Sequence, residues 1–244
     1  MPGIAIEVVG LKKRLGRNQA LDGCALSFEP GLLHGMIGPD GAGKTTFLRV
    51  LMGLLRPDEG EIRFSQDGAV VAFAELRPQM AYMPQRQSLY GDLSIAEHLD
   101  FFRDLYRLPE ESYRERRREL LQVTRLEPFV DRPAGELSGG MYKKLGLMCA
   151  LLQSPRVLIL DEPTNGVDPI SRREFWDLLY RLAGQAVTII LSTAYMDEAE
   201  RCARVHLLDA GRPLAAGEPR AVLRAAGAAS FEELFLRNAA RRAP

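Results

Sequence analysis

The sequence predicts an α/β fold: a parallel sheet core, an antiparallel β layer near the N-terminus, and a helical segment inserted between core strands. Two patterns carry that expectation. LLHGMIG (32–38), VLIL (157–160) and VTIIL (187–191) are continuous apolar runs, as in strands buried on both faces of a parallel sheet, and each is followed by a polar turn and a helical pattern. From about Ser88 to Gln153, by contrast, the chain is almost entirely helical in pattern.

Taken in order, Ile4 to Leu11, Ala25 to Phe28 and Gly60 to Phe73 are short β-type pieces punctuated by Gly, Pro and Asp, which suits the antiparallel layer. The run at 32–38 leads into the helical pattern TTFLRVLMGLL. Within the helical segment, EESYRERRRELLQ (110–122) interleaves Glu111, Glu115 and Glu119 with its arginines, the signature of a solvated helix face. Met141, Leu145, Met148 and Leu152 form one apolar stripe on a later helix. The tail from Ala225 contains FEELFLR (231–237), a short amphipathic helix offering Phe231, Leu234, Phe235 and Leu236 to the core or to a partner, and then a frayed end.

Composition limits the function classes. The 244 residues are 46% hydrophobic, enough for a sizeable core, and Lys plus Arg balances Asp plus Glu at 32 each, so nucleic acid is not an expected partner. Cys24, Cys149 and Cys202 lack metal-ligand spacing and read as reduced core thiols. No apolar run reaches the about 18 to 20 residues that span a bilayer, and MPGIAIEVVG lacks the features of a signal peptide. A cytoplasmic chain is expected, one able to sit on a membrane protein.

The strongest chemical signal is GPDGAGKT (38–45), which fits G-x-x-x-x-G-K-[ST] between an apolar strand and a helix. Gly38, Pro39, Asp40, Gly41, Ala42 and Gly43 form a loop whose N–H groups can face phosphate oxygens, and the helix opened by Lys44, Thr45 and Thr46 adds its positive end. Lys44 would neutralise the β- and γ-phosphates, and the Thr45 hydroxyl would complete a Mg²⁺ shell. Such a loop makes the fold a P-loop NTPase and the site one for a nucleoside triphosphate.

VLILDEP (157–163) supplies the carboxylates that such a site needs. Asp161 can hold Mg²⁺ through water, and Glu162 can polarise the water that attacks the γ-phosphate. Between the two motifs, LSGGM (137–141) opens a helix on two glycines, which cost about 1 kcal/mol each relative to alanine in a helix. With Ser138, Gly139 and Gly140 they make a second anion-binding corner. One phosphate cannot occupy both corners of one compact domain, whereas two chains facing each other would complete each other's sites; a plain serine cap is the simpler alternative.

Together, LSGG between a P-loop and VLILDEPTNGVDP resembles the ATP-binding cassette family over residues 4 to about 222, more narrowly the first cassette of bacterial tandem-cassette multidrug exporters with type-2 membrane partners. The resemblance implies a RecA-like core of about 1–87 and 154–222, a helical subdomain of about 88–153, and a C-terminal helix and tail over 223–244. It implies ATP and Mg²⁺ as cofactors. The implied partners are a second cassette, identical or unequal, and an integral membrane permease, which would hold this chain peripherally on the inner face of the cell membrane. Gln85 matches the glutamine that touches Mg²⁺ and the attacking water, Ser138 to Gly140 match the signature that caps the opposite nucleotide's γ-phosphate, and Asp168 matches a loop crossing the dimer interface. Leu89 through Leu108 fall where the permease's coupling helix docks.

Two departures stand out. After Ser192 and Thr193 the family usually has a γ-phosphate-contacting histidine; this chain has Ala194, and His34, His98 and His206 are all distant in sequence. Where an aromatic usually stacks on adenine, Leu15 offers an apolar contact, so weaker nucleotide affinity is expected. Met141 replaces a glutamine at the end of the signature. The expected function is an ATPase that powers an exporter, slowly if Ala194 matters. The alternative is a hydrolysis-impaired cassette that binds ATP and lends its signature to a partner. A soluble relative outside transport is more remote.

Overall fold

The computed structural model describes residues 3–86 and 89–240, and the expected turn from core to helical segment at 87/88, the two N-terminal residues and the tail from 241 lie outside them. The antiparallel layer is built from β1 (Ala5–Leu15), β2 (Asn18–Phe28), β4 (Glu59–Gln66) and β5 (Ala69–Val71), in the order β2-β1-β4-β5. Phe73, expected at its end, instead begins a one-turn helix, α2 (Phe73–Leu76).

The second sheet has the order β10-β9-β3-β8-β7-β6, from β3 (Leu33–Ile37), β6 (Met80–Met83), β7 (Val157–Asp161), β8 (Thr188–Thr193), β9 (Arg204–Asp209) and β10 (Arg212–Gly217). All neighbours are parallel except β10, which runs antiparallel to β9. The three apolar runs are its central strands. Their continuity has a direct cause, because successive residues serve opposite faces. Val157 and Ile159 pack toward the antiparallel layer and α1 (Lys44–Leu51), while Leu158 and Leu160 pack toward the helices; Ile190 and its neighbours Ile189 and Leu191 divide the same way.

The helical segment contains α3 (Ile95–Tyr106), α4 (Glu110–Thr124) and α5 (Gly139–Leu151), with irregular chain and single 3-10 turns between α4 and α5. Arg114 pairs with Glu110 on the solvated face of α4, whereas Arg116, paired with Glu119, is mostly covered and donates to the Leu151 carbonyl oxygen. Leu145, Met148 and Leu152 are buried, with Met141 packed at the edge of the same cluster. α6 (Pro169–Ala183) follows β7 and covers the same side of the sheet.

At the end, α7 (Pro219–Ala226) spans the expected boundary at 222/223, and α8 (Phe231–Ala240) follows. Phe231 is buried and Leu234 and Phe235 pack on the core, but Leu236 remains 70% exposed and takes no part. All three cysteines are free and buried. No helix of the described residues is long and apolar enough to cross a membrane.

Candidate functional site

β3 ends at Ile37 and the chain turns through the glycine-rich loop into α1. Glycine is required at two of its positions. A Cβ on Gly38 would lie 2.2 Å from the carbonyl oxygen of Leu208, and Gly43 combines a φ of +103° with a Cβ position 2.4 Å from the carbonyl oxygen of Ala20. Sheet and loop are thereby pressed together, and Lys44 is buried at the first helical residue. Its ammonium donates to the carbonyl oxygens of Gly38 (2.7 Å) and Pro39 (3.1 Å) and lies 3.7 Å from Glu162 Oε1. Burial lowers its pKa, while Glu162, Asp40 and Asp161 pull it back up.

The acid pair arrives on β7. Asp161 is fully buried and accepts three hydroxyls: Thr45 at 3.0 Å and Ser192 at 2.6 Å on Oδ1, and Tyr82 at 3.2 Å on Oδ2. Burial and then the Asp161 charge push the Tyr82 hydroxyl up to about 12, so it stays protonated and donating. Glu162 has a φ of +47°, a costly conformation for a side chain of this size, and the turn is held by its amide donating to Ser192 at the backbone oxygen (3.2 Å) and at Oγ (3.0 Å). Its Oε2 accepts from Gln85 Nε2 at 2.7 Å and from Asn165 Nδ2 at 3.1 Å.

These groups surround a cavity of about 340 Å³ lined by Asp40 through Thr46, Gln85, Glu162, and Leu15 with Asn18 and Ala20 at its other end. Leu15 is 44% exposed there, so it offers an apolar wall to a ligand reaching out from the loop. The oxygen donors beside it fit a hard divalent cation: the Thr45 hydroxyl, the Asp161 carboxylate and Gln85, whose amide nitrogen is already on Glu162.

A second cavity of about 300 Å³ shares Asp40, Gln85 and Glu162 with the first and is completed by Thr164, Asn165, Thr193, Ala194 and Tyr195. Position 194 thus shares a cavity with Glu162, to which it offers only a methyl. The histidines are elsewhere. His34 and His206 are buried against each other and Phe28, while His98 is fixed between the Tyr90 amide and the Ser94 carbonyl oxygen.

Ser138, Gly139 and Gly140 do not line either cavity. Ser138 caps α5 by accepting the Met141 amide (3.3 Å), and a Cβ on Gly140 would lie 2.4 Å from the Ser171 hydroxyl. Asp168 caps α6 through the amides of Ile170 (3.1 Å) and Ser171 (2.9 Å), beside that glycine. Sequence reasoning missed Tyr82, Ser192, Asn165 and Tyr195 as parts of the site. Ser192 and Tyr82 belong to strands flanking β7, with Ser192 in register opposite Asp161, and only strand pairing could have signalled them.

A family model described as "ABC transporter" matches residues 21–165, more than half of the chain. Among similar proteins, the probable multidrug ABC transporter ATP-binding protein YbhF of Escherichia coli is 43% identical over 95% of this chain, which spans only 40% of that relative's length. The Nod factor export ATP-binding protein I of Ralstonia nicotianae is 37% identical over 91% of this chain and 71% of its own. A solved structure of an ATP-binding subunit of an ABC transporter superposes with a TM-score of 0.82 at 31% identity, covering 95% of this chain and 98% of that one.

Proposed function

The chain belongs to the ATP-binding cassette family of transporter proteins, and on that premise we propose that it binds Mg-ATP at the P-loop, closes against a second cassette and drives export through a separate membrane permease. The observation that carries this reading is the single cavity shared by Lys44, Thr45, Gln85 and Glu162 with Leu15 at its far wall. Phosphates seat on the amides of the loop and on Lys44, which exchanges the carbonyl oxygens of Gly38 and Pro39 for phosphate oxygens. Leu15 contacts the base. Thr45, Asp161 and Gln85 would hold Mg²⁺, which when bound neutralises charge developing on the β- and γ-phosphate oxygens. Glu162 orients the attacking water and takes its proton, while the amides of Ser138, Gly139 and Gly140 cap the γ-phosphate of the facing chain.

Ala194 favours a second reading within the first, an unequal pair in which this chain hydrolyses slowly and its partner quickly. No imidazole reaches either cavity, and a missing preorganised donor to transition-state charge costs on the order of 100- to 1000-fold in turnover. Steady-state phosphate release by the purified chain, with Lys44→Ala as blank and Ala194→His beside it, decides between them. Release well above the blank with little gain from the histidine variant makes the chain a self-sufficient ATPase. Release near the blank, restored by Ala194→His, makes it the slow half of a pair; ATP binding without release by both the unmodified chain and Ala194→His removes the ATPase reading.

A further inference from the structure

We propose that Asn165 and Tyr195 are positioning residues that fix the carboxylate of Glu162 from the side where Ala194 supplies nothing; the proposal rests on the ATPase reading above. The Tyr195 hydroxyl donates to Asn165 Oδ1 at 3.3 Å, and the same amide, through Nδ2, donates to Glu162 Oε2 at 3.1 Å. The two bonds set the amide's orientation between them, because the oxygen must face the phenol and the nitrogen the carboxylate.

The tyrosine end of this arm is anchored, with Tyr195 41% exposed. The Tyr195 amide donates to Thr193 Oγ1 at 3.0 Å, and the Arg172 guanidinium lies 4.9 Å above the Tyr195 ring. Arg172 is anchored in turn by Glu198 at 2.7 Å, a carboxylate with no exposed surface that also receives Thr164 at 2.7 Å and the Trp176 indole at 3.2 Å. A hydrogen-bonded cluster between α6 and the turn after β8 therefore ends in one hydroxyl, directed through Asn165 at the proposed base. From the opposite side the same oxygen accepts Gln85 at 2.7 Å. Glu162 is held between two amides, and its other oxygen, Oε1, faces Lys44.

A carboxylate so held presents one orientation to an attacking water, and the benefit appears in the chemical step rather than in nucleotide binding, since neither Asn165 nor Tyr195 lines the P-loop cavity. Tyr195→Phe removes the hydroxyl and keeps the ring under Arg172. It is expected to lower kcat about 3- to 10-fold, the range of one neutral hydrogen bond, with KM for ATP and the melting temperature unchanged. Asn165→Ala is expected to lower kcat by at least as much, and adding Tyr195→Phe to it is expected to change nothing more, because the phenol acts only through Asn165. Asn165→Ser, which keeps a short donor, is expected to recover part of the loss. An unchanged or raised kcat in Tyr195→Phe, or additive losses in the double variant, overturns the proposal. Where neither the unmodified chain nor Ala194→His releases phosphate above the Lys44→Ala blank, the ATPase reading fails first and the positioning role falls with it; where only Ala194→His does, the same variants are read in that background.

Discussion

Two helices of this chain start on glycine-rich turns, α1 after GPDGAGKT and α5 after LSGG, and they differ in what surrounds them. At α1 the loop is clamped by the carbonyls of Ala20 and Leu208, a buried lysine stands at the first turn, and Asp161 and Glu162 lie within reach of Thr45 and Lys44. At α5 there is a serine cap and a glycine pressed against Ser171, with no ammonium or acid pair lining the turn in the cavities described. Both turns offer the same partial positive charge. Only the first has the groups that would turn anion affinity into chemistry, so in the proposed function a phosphate at the second belongs to the P-loop of another chain.

The sharpest way to break that contrast is Glu162→Gln, which leaves the amides and Lys44 intact and removes only the base. Turnover is expected to fall about 100- to 10,000-fold with ATP affinity kept, and ATP-bound dimer to accumulate on a sizing column. A monomer at saturating ATP points to an obligate unequal partner. Turnover at the unmodified level ends the role given to Glu162.

Ser138→Arg tests the other corner. In mixed assemblies, release is expected to fall toward the blank when Ser138→Arg and Glu162→Gln sit on one chain paired with an unmodified chain, so that the arginine faces the only competent P-loop. It is expected to persist when the competent P-loop sits in the arginine chain itself. Equal losses in both arrangements would mean that the turn at α5 serves its own chain and that the contrast above is wrong. Lys44→Ala is expected to weaken Mg-ATP binding about 10- to 100-fold, the scale of hydrogen bonds to a charged group, measured by titration calorimetry; unchanged affinity contradicts its phosphate role.

What could be read in advance follows the same division. The loop and the acid pair are contiguous in sequence, so spacing alone identifies Gly38 to Thr45 and Asp161 with Glu162. The three central strands were legible because burial on both faces leaves an unbroken apolar run. Edge strands leave no such mark: β6 has four residues, and β10 carries Pro213 and small residues. Site groups supplied by neighbouring strands or by turns, such as Tyr82, Ser192 and Tyr195, depend on register and hydrogen bonding that no local pattern encodes. Val222 and Phe231, on the two sides of 222/223, belong to the same core cluster.

The furnished corner also stands on strands that titrate, which gives the smallest expected effect. His34 on β3 and His206 on β9 meet at 3.2 Å, and His34 Nε2 faces the Glu29 carbonyl oxygen at 2.9 Å. That oxygen requires the proton on His34 Nε2, so His34 Nδ1 accepts and His206 Nε2 donates, both rings neutral. His206 Nδ1 is buried without a hydrogen-bond partner among the described residues, so a proton added there would gain no acceptor. Burial, followed by the neighbouring His34, lowers His206 from 6.5 to about 3, and burial lowers His34 as well. Below about pH 6.5 the unfolded chain therefore takes up protons that the folded chain refuses, and the stability this pair contributes, constant above that pH, is lost as pH falls toward 3. From pH 7.5 to 5.0, His206 alone accounts for about 2 kcal/mol, or roughly 4 to 8 °C in melting temperature for a chain of this size. His206→Gln is expected to shrink that acid-linked loss by one proton's worth and to leave ATP affinity at pH 7.5 unchanged, because the pair lies within the sheet and not on either cavity. An identical pH dependence of melting in the variant would assign the acid sensitivity to other groups and leave the two strands beneath the P-loop neutral in this respect.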